Sequence, residues 1–199
     1  MDLALKGFTR YPRARDVATT VETVARSLGL DPSLVMGMIA TESEFNPRAY
    51  RAESHLTPPD ASRGLMQILY RTAQAVGYAG TPDGLFGVEI NVRFGGKYLR
   101  DQIRAKKGDV WAGVSAYNNG HGKRTTKDQT VCDWRKPDGT CASSHLAKAG
   151  DFFNQPYVNK VKTNAALFGY VEPTTAGPSG TIGLLFVAAI GLALFRRMT

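Results

Sequence analysis

Histidine, cysteine and tryptophan are scarce in this 199-residue chain, which has 3 His, 2 Cys and 2 Trp. No pair of these has the spacing of a usual zinc framework, so no metal site is expected, and no cofactor motif is present. A Sec-type leader is not legible either: Met1 to Gly7 has no long apolar run behind a basic stretch. No internal repeat is apparent, and no segment alternates apolar and polar residues for long, which argues against a sheet-based fold. A compact nucleic-acid module is also missing. Basic residues such as Arg10, Arg13, Arg15, Arg48, Arg51, Lys106, Lys107, Lys123 and Arg124 are spread along the chain. No specific nucleic-acid partner is therefore expected. The net charge of +8 still draws the protein to polyanions, among them anionic lipid and bacterial wall polymers.

What is present suits one packed domain, with 43% apolar and 21% charged residues. The chain divides into an N-terminal segment (1–13), a globular domain (14–171), a Pro/Gly/Thr/Ser linker (172–180) and an apolar run (181–198). Thr181 to Phe195 carries no charge, and Arg196 and Arg197 follow it. A membrane span needs about 20 apolar residues. The run approaches that length if Gly180 and Met198 join it and the arginines snorkel. A single C-terminal transmembrane helix is the expectation, with its arginine end inside.

The globular part reads as mostly α. Val17, Val21, Val24, Ala25 and Leu28 recur at helical spacing, and Gly29 closes that helix. Asp31-Pro32 is a helix start with Asp as N-cap, and Leu34, Val35, Met38 and Ile39 form its apolar face. That helix must stop near Asn46-Pro47. Further helices are expected over about 71–76, 88–106, 110–117 and 155–168. Cys132 and Cys141 flank the turn signal Pro137-Asp138-Gly139. A local disulfide across a small hairpin is one reading, and two reduced thiols are the other.

Glu42 falls in the last turn of the helix begun by Pro32, directly after the apolar Met38, Ile39 and Ala40. Burial there raises a carboxyl pKa, and the negative end of the helix dipole raises it further. A proton held near neutral pH is what a general acid for glycosidic cleavage requires. Any helix-end glutamate has a bland alternative as a solvated charge, and Glu44, facing another way, exemplifies it.

The residues around Glu42 carry more information. Glu42-Ser43-Glu44-Phe45-Asn46-Pro47 is followed by Ser62-Arg63-Gly64-Leu65-Met66-Gln67-Ile68 and Thr72-Ala73. Then come Asn91 to Leu99, Ala116-Tyr117-Asn118-Asn119-Gly120, and Tyr157-Val158-Asn159-Lys160-Val161. These blocks, in this order, resemble the soluble lytic transglycosylase domain of the lysozyme-like superfamily, over roughly Asp16 to Phe168. The resemblance implies a mostly α, lysozyme-like fold with a saccharide groove and a peptidoglycan-cleaving activity. It makes Glu42 the lone catalytic acid/base. Glu42 would protonate the oxygen between N-acetylmuramic acid and N-acetylglucosamine, then take the proton of the muramoyl C6 hydroxyl as that oxygen attacks C1. A 1,6-anhydro end would result without water, whereas ordinary glycosidases use two carboxylates.

The same resemblance makes Gln67, Tyr117 and Met66 groove residues. Gln67 would serve an acetamido group as donor and acceptor. Tyr117 would offer a stacking face and a hydroxyl that steadies Glu42 or the substrate. Asn118 is a candidate sugar contact, Gly64 lets backbone approach sugar, and Asn91 is a brace. Ser43 and Phe45 read as structural. Two departures stand out. The stretch Arg48–Ala61 is longer than the family's link. A family serine falls within it, with Ser54 as the candidate, and it also holds Glu53 and Asp60. Either carboxylate, if aimed at the bond, would activate water and turn the enzyme into a muramidase. The second departure is an insertion over 125–153 that carries both cysteines and either shapes the groove edge or meets a partner.

The expected protein is thus an anchored peptidoglycan lytic transglycosylase acting on glycan strands. It would sit in a virion membrane of a bacteriophage or in a bacterial inner membrane with its domain facing the wall, beside virion or secretion-complex proteins. The phage setting needs no signal peptide. A non-catalytic glycan-binding membrane protein and a chitin-directed lysozyme relative are the competing readings.

Overall fold

Seven successive residues, Leu34 to Ala40, are all buried, and this places one helix at the centre of the molecule. A helix with no polar face is stable only when it is surrounded. The computed structural model describes residues 3–53, 56–136 and 139–173. In it the central helix, α3, runs Pro32–Glu42. Asp31 caps it by accepting from the backbone N–H groups of Ser33 (2.7 Å) and Leu34 (3.2 Å), and Pro32 takes the first turn.

Six other helices are described: α1 (Leu3–Arg10), α2 (Ala14–Ser27), α4 (Tyr70–Ala75), α5 (Val88–Ala105), α6 (Val110–Asn119) and α7 (Gln155–Leu167). A 3-10 turn over Pro82–Phe86 precedes α5. The main packing partners are α3 with α7, α5 with α6 and α2 with α5. Asp109 caps α6 by accepting from the Ala112 N–H at 2.9 Å, and Gly120 ends it in the left-handed region at φ 78°. The start of the expected N-terminal segment, 1–13, thus carries α1, which packs on α7.

One very close helix–helix approach is at Gly37. A Cβ there would lie 2.6 Å from the backbone of Ala165, so α3 and α7 meet almost backbone to backbone. Polar groups then stitch the same face. Asn164 donates to the Thr41 hydroxyl at 3.0 Å, and the Tyr11 hydroxyl donates to Asn164 at 3.0 Å.

Among the described residues five short strands also form, against the expectation drawn from the lack of period-two patterning. β1 (Tyr50–Glu53), β2 (Asp60–Arg63) and β3 (Ile68–Leu69) make an antiparallel sheet in that order. β4 (Gln129–Arg135) pairs with β5 (Cys141–Ala147) as a separate hairpin. The first sheet's strands hold at most four residues, too few for a period to show. Most of β5 is exposed, so no buried face imposes an apolar alternation. The hairpin occupies the 125–153 insertion, and Cys132 and Cys141 are bonded across it. Its base is closed where the Thr125 N–H donates to the Asp151 carbonyl at 2.7 Å, so the insertion leaves and re-enters the domain at one point.

The expected anchor over 181–198 and most of the 172–180 linker lie outside the described residues. Among the described residues, no helix is long and apolar enough to cross a membrane.

The Gly37 contact yields a test. Gly37→Ala should lower the unfolding free energy by about 1–3 kcal/mol, the usual cost of overpacking. Urea denaturation should show a lower midpoint with an unchanged slope.

Candidate active site

Glu42 is the last residue of α3, where the buried helix emerges into a cleft of about 350 Å³. Glu42, Arg51, Glu53, Gln67, Tyr98 and Tyr117 are among its lining residues. The Tyr157 hydroxyl, from the first turn of α7, donates to Glu42 Oε1 at 2.5 Å. The backbone then turns sharply, with Glu44 at φ 50° and Phe45 at φ 61°. Such conformations persist only when their surroundings hold them. Phe45 is 1% exposed and packs on Tyr11 and Phe168. The Ser43 hydroxyl donates to the Leu65 carbonyl at 2.8 Å, tying the end of α3 to the loop opposite.

That loop, Gly64 to Gln67, is held by side chains that hydrogen-bond its backbone. Asn91, fully buried, donates to the carbonyls of Arg63 (2.8 Å) and Leu85 (2.6 Å) and accepts from the Met66 N–H (2.7 Å). The Tyr117 hydroxyl donates to the Met66 carbonyl at 2.7 Å. Gln67 has φ 47°, and its amide nitrogen donates to the carbonyls of Ala49 (3.1 Å) and Gly64 (3.0 Å). Both amide hydrogens are thereby engaged, which leaves the acceptor oxygen for a ligand.

Several expectations need correction. Met66 is fully buried, does not line the cleft, and packs against Gly95, where a Cβ would lie 2.7 Å from its sulfur. The reason is the Asn91 and Tyr117 clamp on its backbone, which turns the side chain toward α5. Tyr117 lines the cleft as expected, but its hydroxyl goes to the loop; the hydroxyl on Glu42 is that of Tyr157. Gly64 admits Asn91 and Leu85 rather than sugar: it has φ 72°, and a Cβ would lie 2.6 Å from the Leu85 carbonyl oxygen. Asn118 lines the cleft, and its side-chain oxygen accepts from Asn154 at 2.9 Å. Ser54 lies outside the described residues. No described residue of the 125–153 insertion lines the cleft.

The two acids of the enlarged loop part company. Asp60 accepts from the backbone N–H groups of Ala61 (2.7 Å) and Arg71 (3.0 Å) and from the Arg63 guanidinium (3.2 Å). Burial alone would push its carboxyl up, but these bonds outweigh it and hold it below its ordinary value. Glu53 lines the cleft with Glu42 and is 8% exposed. Its Oε1 accepts from Arg51 Nε at 2.6 Å and from the Ser62 hydroxyl at 3.0 Å.

Tyr157, Tyr98, Arg51 and Ser62 are site residues to which sequence reasoning gave no role there. Tyr157 opened the last resemblance block, and its place in the first turn of an amphipathic helix was the available signal. Arg51 and Glu53 share one strand at a spacing of two, which puts them on one face. Only the observed pairing of Arg51 with Ser62 and of Glu53 with Asp60 aims that face at the cleft.

Burial raises the Glu42 carboxyl to about 7, and the Tyr157 hydroxyl, Arg51 and Lys160 each pull the other way. Burial likewise pushes the Tyr117 and Tyr157 hydroxyls well above their ordinary value, and the neighbouring Glu42 adds to the shift. Both phenols therefore act as neutral donors. A carboxyl poised near neutrality can give up a proton and take it back at physiological pH.

A central buried helix that ends on one poised acid in a cleft is the arrangement of lysozyme-like proteins. The chain belongs to the Transglycosylase SLT domain family, whose model matches residues 20–134. It is 34% identical over 124 residues to the membrane-bound lytic murein transglycosylase C of Actinobacillus pleuropneumoniae serotype 5b (strain L20), covering 55% of this chain and 32% of that one. The protein of the same name from Shigella sonnei (strain Ss046) is 32% identical, with 55% and 33% covered. The chain thus spans about a third of the length of these curated relatives. In fold it resembles the X-ray structure of an inactive mutant of the lytic transglycosylase Slt from Pseudomonas aeruginosa. The TM-score is 0.57 at 24% identity, over 81% of this chain and 25% of that one.

Two outcomes follow from the electrostatics. Tyr157→Phe removes a bond that stabilises the Glu42 carboxylate, so the carboxyl should titrate higher. Followed by NMR, the Glu42 carboxyl should titrate at higher pH in this variant than in the parent. Glu42 also has a folded pKa above its unfolded value, so its contribution to stability is complete at acid pH and is lost as pH rises towards about 7. Glu42→Gln should therefore be more stable than the parent above pH 7, by up to about 3 kcal/mol, with the difference vanishing near pH 4.

Proposed function

We propose that the protein is a peptidoglycan lytic transglycosylase that cleaves the β-1,4 bond between N-acetylmuramic acid and N-acetylglucosamine and leaves a 1,6-anhydromuramoyl end. The observation that carries this reading is the largely buried Glu42 carboxyl, raised to about 7 and held by Tyr157 in a cleft. Family membership and the names of the relatives support it. Glu42, protonated, gives its proton to the glycosidic oxygen as the C1–O bond breaks. The carboxylate so formed takes the proton of the muramoyl C6 hydroxyl while the C6 oxygen bonds to C1. The proton returns to Glu42, and no water is consumed. Tyr157 steadies the carboxylate between the two transfers, and Gln67 presents its free carbonyl oxygen to an acetamido N–H. Tyr117 and Asn118 complete the wall.

One observation favours a second reading, a muramidase using water. Glu53 lies in the same cleft as Glu42. Against it, the Glu53 Oε1 already accepts from Arg51 and Ser62, which suits a holder of Arg51 better than a base. A purely glycan-binding membrane protein has no need of a buried, poised acid. We further read the 181–198 run as a membrane anchor that keeps the domain beside the wall. There it would open murein locally, at phage entry or during assembly of an envelope-spanning machine.

Glu42→Gln should cut the rate of murein clearing by about 10²–10⁴, the typical share of general acid–base catalysis. Clearing at the parental rate refutes the assignment. Mass spectrometry of the parent's products should show anhydro ends, and reducing ends would instead establish the muramidase.

A further inference from the structure

The enlarged hairpin β1–β2 places a cation at the cleft that the mechanism above does not use. Arg51 faces Ser62 across the pair, with Glu53 two residues on along the same strand face. Ser62 donates to Glu53 at 3.0 Å, and Arg51 Nε donates to the same Glu53 oxygen at 2.6 Å. This chain of bonds pins the guanidinium by one edge. The anchor is fixed, because the Glu53 side chain is 10% exposed, whereas that of Arg51 is 72% exposed. The two terminal nitrogens of Arg51, with four N–H donors, take no part in the bond to Glu53, and the residue lines the cleft that contains Glu42. A planar fork of this kind matches a carboxylate, by two parallel hydrogen bonds. Arg51 also lies close enough to Glu42 for its charge to be felt there. A ligand group bound to it would thus belong to a sugar near the reacting bond.

We propose that Arg51, oriented by Glu53 and Ser62, is a specificity residue that binds a carboxylate carried by the muramoyl unit next to the scissile bond. This rests on the reading of the protein as an enzyme of muramoyl glycans. N-acetylglucosamine carries no carboxylate, whereas the muramoyl unit bears a lactyl ether that ends either in a free carboxylate or in a peptide with carboxylates of its own. The contact therefore separates murein from chitin. Its cost in orientation is low, because the stem is already held.

The test is calorimetric binding with the full chain in the Glu42→Gln background, so that nothing is cleaved. The probes are chitohexaose, a peptide-free GlcNAc–MurNAc oligomer of equal length, and the same oligomer bearing stem peptides. Adding Arg51→Gln should weaken binding of a carboxylate-bearing oligomer roughly two- to fivefold at low salt, the scale of an exposed charged contact. Chitohexaose binding should not change. Arg51→Lys, which keeps the charge without the fork, should fall between. Loss already on the peptide-free oligomer assigns the lactyl carboxylate, and loss only on the peptide-bearing one assigns the stem. Equal loss on chitohexaose, or no loss on any probe, overturns the assignment of Arg51. If the Glu42→Gln parent binds neither muramoyl oligomer, the functional reading fails, and this assignment with it.

Discussion

The near-contact of α3 and α7 at Gly37 and Ala165 is the constraint on which the site depends. Only a helix pair this close brings Tyr157 on one helix to within 2.5 Å of Glu42 on the other. The same closeness excludes water from most of the carboxyl, and burial is the largest influence on its titration. Burial alone would drive a carboxyl further up; the Tyr157 hydroxyl, Arg51 and Lys160 bring it back to about 7. The acid is therefore set by opposed forces of which burial is the largest, all delivered by elements that pack on α3 or border its end.

The cleft opposite Glu42 is built on a related principle. Asn91, Ser43, Tyr117 and Gln67 all direct hydrogen bonds at backbone groups of one short segment and its neighbours. Each of these four side chains bonds main chain, so the loop is held rigid. The left-handed backbone at Glu44, Phe45 and Gln67 is held within this framework. A rigid wall suits the proposed proton transfer between Glu42 and a bound sugar.

Against this frame, the β1–β2 hairpin is the part that varies the chemistry. It adds a buried carboxylate and an exposed guanidinium to a cleft otherwise lined by neutral groups and Glu42. The β4–β5 hairpin joins the domain at one point and touches no part of the cleft among the described residues.

The helices were legible because their signals are local: Asp31-Pro32, Asp109 and the glycine that ends α6 act within a turn of their own positions. Glu42 was legible for the same reason, since its place at the end of an apolar helix already implies desolvation. The order of motifs around it was enough to suggest the family. Contacts between residues distant in the chain were not legible. No local pattern says that Tyr157, 115 residues on, rather than Tyr117, would reach Glu42. Nor does any pattern say that Met66 would turn inward while Gln67 beside it turns to the cleft. The short strands carried no period to read, so the face shared by Arg51, Glu53 and Ser62 appeared only with their pairing. By itself the sequence determined most of the helices, the burial to be expected at Glu42 and the family. The tertiary structure alone decided which side chains surround the acid, because those neighbours are chosen by packing between segments and not by spacing within them.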